Sequence, residues 1–313
     1  MADVMRTAAG GEDLRVVVRA GEPCRLARGL AERGSIDDQI AARAVDLAQV
    51  FARRASGLGA GRVLIAATAA LRDAVNGEQV AAAIAERTGL PVRILSGDDE
   101  ARLVYRSVVH GLGFAARGQA CVVFDLGGGS TEVVSGVGLA PGRWTSLPFG
   151  AVSLTDRFLH SDPPVAPEID ALREAVREIL MHNCAYMPQR APLLAGVGGT
   201  VTVLAAMDRG LQSYDPQLLE GWSIAATRLE QLIAGLVSTP RNERGAWPVM
   251  GEGRADIVAA GALAVSELIR RFPAGGLMCS TQGLRYGLVR LAADEAASQP
   301  DPGESPGSPE GRS

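Results

Sequence analysis

The 313-residue sequence contains no lysine, so its 31 Lys/Arg positions are all arginine, set against 35 acidic residues for a net charge of −4. An acidic chain that binds a polyanion must concentrate its positive charge locally. Arginine suits this, because its planar fork pairs bidentately with phosphate. Aromatic residues make up only 4% of the chain, and no basic run or aromatic ladder occurs, which argues against nucleic acid as the main partner. Cys24, Cys121, Cys184 and Cys279 are far apart and form no C-x-x-C pair. They are expected as reduced, mostly buried thiols, not as disulfides or zinc ligands. His110, His160 and His182 lack metal-ligand spacing and are taken as structural or surface residues. No apolar stretch approaches membrane-spanning length, and the first residues are polar and glycine-rich, unlike a secretory leader. The expectation is a cytoplasmic protein without membrane contact. With 47% hydrophobic and 21% charged residues, the composition is that of a globular protein of about two domains.

The most informative segment runs from Val122 to Val134: an apolar strand ending at Asp125-Leu126, the turn Gly127-Gly128-Gly129-Ser130, and a second strand opening at Thr131-Glu132. Consecutive glycines let the backbone turn tightly and bring unhindered N–H groups up to an anion. A carboxylate on each side of such a turn suits hydrated Mg²⁺, which keeps most of its waters and takes only one or two protein oxygens. An ordinary hairpin with a glycine turn and solvent-facing acids accounts for the same residues. A second loop, Gly196-Val197-Gly198-Gly199-Thr200, follows the apolar run Pro192 to Ala195 and precedes a helical pattern from Val201. It places glycines and a threonine cap at a helix N-terminus, where anions bind readily. Two such loops suggest phosphate-binding turns facing each other across a cleft; tight glycine packing without a ligand is open for either.

A third block comprises Ala66 to Asp73 and Leu95 to Leu103. With it, the segments "ATAALRDA", "SGDDEARL", "VFDLGGGSTEVV", "FGAVSLTDRF", "GVGGTVTVLAA" and "GLRYGL" stand in an order that resembles the exopolyphosphatase and guanosine pentaphosphate phosphohydrolase family. The resemblance runs from about Leu14 to about Leu291. It implies an α/β fold of two actin-like (ribonuclease H-like) lobes with a phosphate-binding cleft between them. It implies a short form, with the first lobe over 1–117, the second over 118–293 and a disordered tail over 294–313, whose proline-rich, polar composition is unsuited to packing.

By position, the resemblance implies Glu100 as the general base that activates water, and Arg72 as an arginine directed at the phosphate chain. Asp125 and Glu132 match the magnesium-associated acids. Gly127, Gly128, Gly129 and Ser130 match one phosphate loop, and Gly198, Gly199 and Thr200 the other. Arg25, in Cys24-Arg25-Leu26, sits where the family writes "V-R-L-G-E-G-L". Phosphoanhydride hydrolysis needs a positioned water, a base, and cations that offset charge on the phosphoryl oxygens. Glu100, Mg²⁺ on Asp125 and Glu132, and Arg72 supply one of each. Asp98 and Asp99 precede Glu100, and neighbouring negative charge is expected to raise its pKa. An acidic first turn of a helix explains the same three residues, and Arg72 taken alone reads as a surface residue ending a strand.

Periodicity predicts a strand pair at Leu14–Val18 and Cys24–Leu30, and a helix over Ile36–Ala55 with Asp37 and Asp38 in its first turn. A fully apolar strand is expected at Val63–Ala67 inside a sheet covered on both faces. A helix over Gln79–Arg87, a strand at Val92–Leu95 and the Glu100 helix follow. Gly113–Gly118 is the expected domain boundary, with helices at Glu168–Met181, Thr227–Leu236 and Ala255–Arg271 beyond it.

Two departures from the family pattern stand out. Tyr286 replaces a usual glutamate. The chain also lacks an opening strand and a "D-x-G-x-N-S" phosphate loop, and that strand would lie between those containing Leu64 and Val17. The expectation is therefore a chain start placed downstream of the missing strand, with coding sequence for it upstream. The expected activity is Mg²⁺-dependent removal of terminal phosphate from inorganic polyphosphate. Alternatives are guanosine pentaphosphate 5'-phosphohydrolase, a sugar kinase or chaperone-type ATPase on the same superfold, and a non-catalytic polyphosphate- or nucleotide-binding module. A homodimer is compatible with the sequence.

Overall fold

The computed structural model describes residues 2–6, 12–113, 118–251 and 253–297. The first half of the chain contains β1 (Ala2–Arg6), β2 (Glu12–Val16), α1 (Leu30–Arg33), α2 (Asp38–Gly57), β3 (Ile65–Ala67), α3 (Ala69–Asp73), α4 (Gly77–Thr88), β4 (Val92–Ile94) and α5 (Gly97–Gly111). The second half contains β5 (Ala120–Leu126), β6 (Thr131–Val137), β7 (Ala140–Leu147), α6 (Ala151–Phe158), α7 (Ala166–Asn183), β8 (Leu193–Val197), α8 (Gly199–Arg209), α9 (Pro216–Leu219) and β9 (Ser223–Ala225). It closes with α10 (Ala226–Ser238), α11 (Arg241–Gly245), α12 (Val258–Arg271), β10 (Gly276–Cys279) and α13 (Leu284–Ala297). The α/β architecture expected from the sequence is present.

The main sheet has six strands in the order β7-β6-β5-β8-β10-β9. β5, β6 and β7 form an antiparallel meander, while β8 runs parallel to both β5 and β10. β5 alternates between two cores: Val122, Phe124 and Leu126 face a large cluster with residues of α7, α8, α10 and α12, while Cys121 and Val123 face α5 through Val104, Tyr105 and Val108. Such two-sided burial explains why the strand reads as a continuous apolar run. α12 is buried all round from Val258 to Ile269, as expected for a helix at the centre of a core. Its one acid, Glu267, is buried against the guanidinium groups of Arg173, Arg177 and Arg270. α5 precedes the expected boundary in sequence, yet it packs on the six-stranded sheet.

The first half is smaller. β3 and β4 form a two-stranded parallel sheet, and Ile36, Val45, Leu71, Val80 and Ile84 make a core between it and helices α2 and α4. α2 begins two residues later than predicted because Asp37 caps it, accepting from the N–H groups of Gln39 and Ile40, so only Asp38 lies within the first turn.

Several expectations are corrected. Cys24–Leu30 is not a strand: Arg25 at φ 55 and Gly29 at φ 65 adopt left-handed conformations incompatible with extended backbone, and β2 pairs with β1 instead. The Val63–Ala67 strand is only Ile65–Ala67, half-buried and paired on one edge alone. Among the described residues, no strand lies between the β1–β2 hairpin and the β3–β4 pair. α13 continues four residues into the stretch expected to be a disordered tail, and Glu295 ion-pairs with Arg62 and Arg93 at 2.5 and 2.6 Å. Residues 114–117 of the expected boundary and 298–313 of the tail lie outside the described residues.

Candidate active site

The first glycine loop is the turn of the β5–β6 hairpin, so the plain hairpin and the candidate anion cradle share the same residues. Its register sets Asp125 directly opposite Glu132 and Leu126 opposite Thr131, and the Gly127 N–H donates to the Ser130 carbonyl at 3.0 Å. Like charges directly opposite on one sheet face repel, so this pair calls for positive charge nearby. The loop is pinned by α6, whose Ala151 and Val152 N–H groups donate to the Gly127 and Gly128 carbonyls, each at 2.9 Å. Gly150 makes that approach possible, since a Cβ there would lie 2.4 Å from the Gly128 carbonyl carbon.

The second loop is brought alongside by the parallel pairing of β8 with β5, which sets Val197 beside Asp125. Gly198 follows with φ 112, and a Cβ on it would stand 2.5 Å from the Leu126 carbonyl oxygen, so only glycine fits. α8 then opens at Gly199 and points its N-terminus between the loops. Gly198, not Thr200, is the cap residue; the Thr200 hydroxyl is turned toward Gly261 on α12. The two loops enclose a cavity of about 270 Å³, lined by Asp125, Leu126, Gly127, Gly128, Ala151, Gly198, Gly199, Thr200, Arg254, Ile257 and Val258.

The acids form a second cluster beside this cavity. Glu100 sits in the first turn of α5, which Ser96 caps by accepting from the Asp99 N–H at 3.1 Å. Its side chain is 8% exposed, and the Arg72 Nη1 donates to it at 3.3 Å. Burial pushes the Glu100 carboxyl up to about 7; Glu132 and, more weakly, Asp125 push the same way, while Arg72 opposes them. Asp98 and Asp99 are not the cause expected from sequence, because Asp98 pairs with Arg102 at 2.9 Å and Asp99 accepts from the Ser96 hydroxyl at 2.7 Å. Burial and then Glu132 also push Asp125 up to about 7, against the charge of Arg285. Burial raises Glu132 as well, opposed by hydrogen bonds from Ser146 and Ser130 and by Arg72; the Ser146 hydroxyl donates to it at 2.8 Å.

The structure thus gathers the sequence-selected residues into two adjoining groups. Asp125, Gly127, Gly128, Gly198, Gly199 and Thr200 line the cavity. Glu100, Arg72, Glu132 and Ser130 are joined to it through the electrostatics of Asp125 and Glu132. Gly129 packs against Ala27 of the first half. Arg72 is engaged with Glu100, the Leu95 carbonyl and Asp73. Sequence reasoning missed Arg254, whose guanidinium lies against Gly199, and Arg285, the counter-charge of Asp125. The signal for Arg254 was present: Gly251 and Gly253, both at positive φ, make a third glycine-bearing turn before a helix. Tyr286, where an acid was expected, offers its ring face to Arg19 at 5.3 Å.

Among the described residues, no three His, Cys, Asp or Glu side chains form a metal-binding cluster. A site of two carboxylates completed by water and phosphate oxygens has no need of one.

Residues 4–295 match the family model described as the Ppx/GppA phosphatase family. Exopolyphosphatase 2 of Mycobacterium tuberculosis is 35% identical over 276 residues, covering 86% of this chain and 85% of the relative. A solved Ppx/GppA family member from Aquifex aeolicus superimposes with TM-score 0.76 at 25% identity, covering 93% of this chain and 92% of the other. A solved exopolyphosphatase-like protein superimposes with TM-score 0.86 at 26% identity, covering 94% of each chain.

Proposed function

The chain belongs to the Ppx/GppA phosphatase family, and on that premise we propose that it hydrolyses the terminal phosphoanhydride bond of inorganic polyphosphate with Mg²⁺ as its metal. One observation carries the choice of substrate. The cavity between the glycine loops is lined, among the described residues, by glycines, aliphatic side chains, one threonine, one acid and one arginine, with no ring on which a base would stack. That lining suits an inorganic chain, and the exopolyphosphatase relative points the same way.

The donor set fits the metal. Asp125 and Glu132 face each other across one sheet face with their carboxyl pKa values raised by burial, a pair that a hard divalent cation stabilises through oxygen ligands. Bound there, Mg²⁺ would neutralise charge on the terminal phosphate oxygens. The chain's own residues do the rest. Backbone N–H groups of the two loops and the α8 N-terminus hold the phosphate chain, with Arg254 at its side. Glu100, with a carboxyl near 7, accepts a proton from a water oxygen as that oxygen attacks the terminal phosphorus. The bond from phosphorus to the bridging oxygen breaks, and the shortened chain leaves with that oxygen. Arg72 fixes the orientation of Glu100.

The thiols support the reading of a cytoplasmic setting. Cys121, Cys184 and Cys279 are free and buried, and burial pushes Cys184 up to about 11 and Cys279 to about 12, so they act as inert packing groups suited to a reducing cytoplasm. No described helix is long and apolar enough to cross a membrane.

The test is phosphate release from medium-chain polyphosphate and, separately, from guanosine pentaphosphate, each over a Mg²⁺ titration. The proposal expects Mg²⁺-dependent release with a clear preference for polyphosphate. A preference for guanosine pentaphosphate would replace the substrate, and no release from either would leave a binding module.

A further inference from the structure

Arg25 is the only non-glycine residue at positive φ among the described residues, at φ 55. A residue with a Cβ in that conformation is disfavoured and persists only where its surroundings hold it. What holds it is on the far side of the cleft. The Arg25 Nη1 lies 2.8 Å from Asp256 Oδ2, and Nη2 donates to Asp256 Oδ1 at 3.2 Å and to the Gly253 carbonyl at 3.0 Å. The contact is a fork of guanidinium on carboxylate between residues 231 apart in sequence. It lies at the rim of the cavity. Two residues after Arg25, Ala27 sits against Gly129 of the first phosphate loop. Gly253 directly precedes Arg254, which lies against Gly199 of the second. The clasp therefore ties the segment that packs on the first loop to the turn that carries Arg254 against the second, and its side chains remain 31% and 27% exposed.

We propose that Arg25 is a phosphate-chain ligand that Asp256 occupies until substrate arrives. This rests on the reading of the cleft as a polyphosphate site. A guanidinium fork matches a phosphate as well as a carboxylate, so one partner exchanges for the other with the same geometry. Partly exposed ion pairs are weak, which lets an incoming polyanion displace Asp256. While Asp256 holds the fork, the affinity for substrate is reduced by the fraction of Arg25 that is free. Chain length then matters: a phosphate beyond the cradle is the one that meets Arg25, so tripolyphosphate and longer chains gain from it.

Asp256→Asn keeps the shape of the partner and removes its charge. Unmasking Arg25 lowers KM for tripolyphosphate about fivefold, with kcat within about twofold of the parent. Arg25→Gln raises KM about tenfold. Asp256→Asn added to Arg25→Gln changes KM no further, because the competition it relieves is gone. A purely structural clasp gives the opposite sign, since loosening the turn after Gly251 raises KM. Tighter binding that persists in the Arg25→Gln background is general charge relief and also overturns the proposal. Thermal melting of each variant checks the fold. The same comparisons, made as tripolyphosphate binding by calorimetry in a Glu100→Gln background, read the exchange without turnover. An enzyme with no phosphatase activity would refute the proposed function there while this inference still stands or falls on binding.

Discussion

The six-stranded sheet is covered on one face by α5 and on the other by α8, α10 and α12, whereas the strands of the first half form two separate pairs, of which β3–β4 packs on a small core. The phosphate loops belong to the first kind of structure. Their shapes are set by close backbone approaches, Gly198 to Leu126 and Gly150 to Gly128, that leave no alternative. Outside α5, the first half is tied to α5 and to the second half by ion pairs: Arg72 on Glu100, Arg25 on Asp256, and Arg62 and Arg93 on Glu295 of α13. The cradle is rigid by packing, and what closes on it is adjustable by charge. A site that must hold a polyanion, then release a shortened one, gains from that division.

The largest effect is expected at the base that joins the two regions. Glu100→Gln keeps shape and hydrogen bonding to Arg72 but removes proton acceptance. Turnover falls by about 10²-fold or more with substrate binding nearly kept. Steady-state rates within a factor of a few of the parent would reduce Glu100 to a helix-start acid.

The rigid region is tested by Gly198→Ala, which forces a Cβ at φ 112 to within 2.5 Å of the Leu126 carbonyl oxygen. Denaturant unfolding should register a loss of about 2 kcal/mol or more, with phosphate affinity lost as the loop shifts. Full stability in this variant would mean the cradle is not sterically fixed.

Glu132→Ala removes one oxygen partner from a site with few, so the Mg²⁺ concentration for half-maximal rate rises several-fold. An unchanged titration with normal folding removes Glu132 from metal binding.

The buried acids also mark a pH dependence. Glu100 and Asp125 have folded pKa values raised to about 7, so the folded state binds more protons than the unfolded state between their unfolded values and 7. Their contribution to stability is full below the unfolded values and is lost as pH rises through 7. Melting temperature without Mg²⁺ therefore falls over that window, and Mg²⁺ should offset the fall. Asp125→Asn flattens it.

The smallest effect is expected in the adjustable region, at Glu295→Gln. This cuts the exposed tie from α13 to Arg62 and Arg93. A slight drop in melting temperature that disappears in high salt is the outcome for screened surface pairs. A large, salt-independent drop would make the first half as rigid as the second.

Much of this was legible in the sequence, and unevenly so. The β5 strand, the two glycine loops and the Glu100 helix were readable because apolar runs, glycines and caps are local signals. Their juxtaposition followed from a resemblance in motif order, not from any one spacing. The turn at Cys24–Leu30 was misread because Arg25 takes a conformation its residue type disfavours, held by Asp256 far along the chain. The cause of the raised Glu100 pKa was misassigned because burial, and after it Glu132 of β6, raise it through tertiary packing, while its sequence neighbour Asp98 pairs with Arg102. Arg285 stayed hidden for the same reason, since nothing local distinguishes it from the other arginines, whereas Arg254 was missed although Gly251 and Gly253 marked its turn.

The account depends most on a buried Glu100 acting as the base. The pH dependence of kcat/KM for tripolyphosphate at saturating Mg²⁺ tests it most directly. The predicted profile rises with pH to a plateau, with its midpoint above the ordinary glutamate range and at or below the metal-free value of about 7, since burial raises this carboxyl while Mg²⁺ on Asp125 and Glu132 would offset their charge. A profile already flat from pH 5.5 upward, about one unit above an ordinary glutamate, would contradict it.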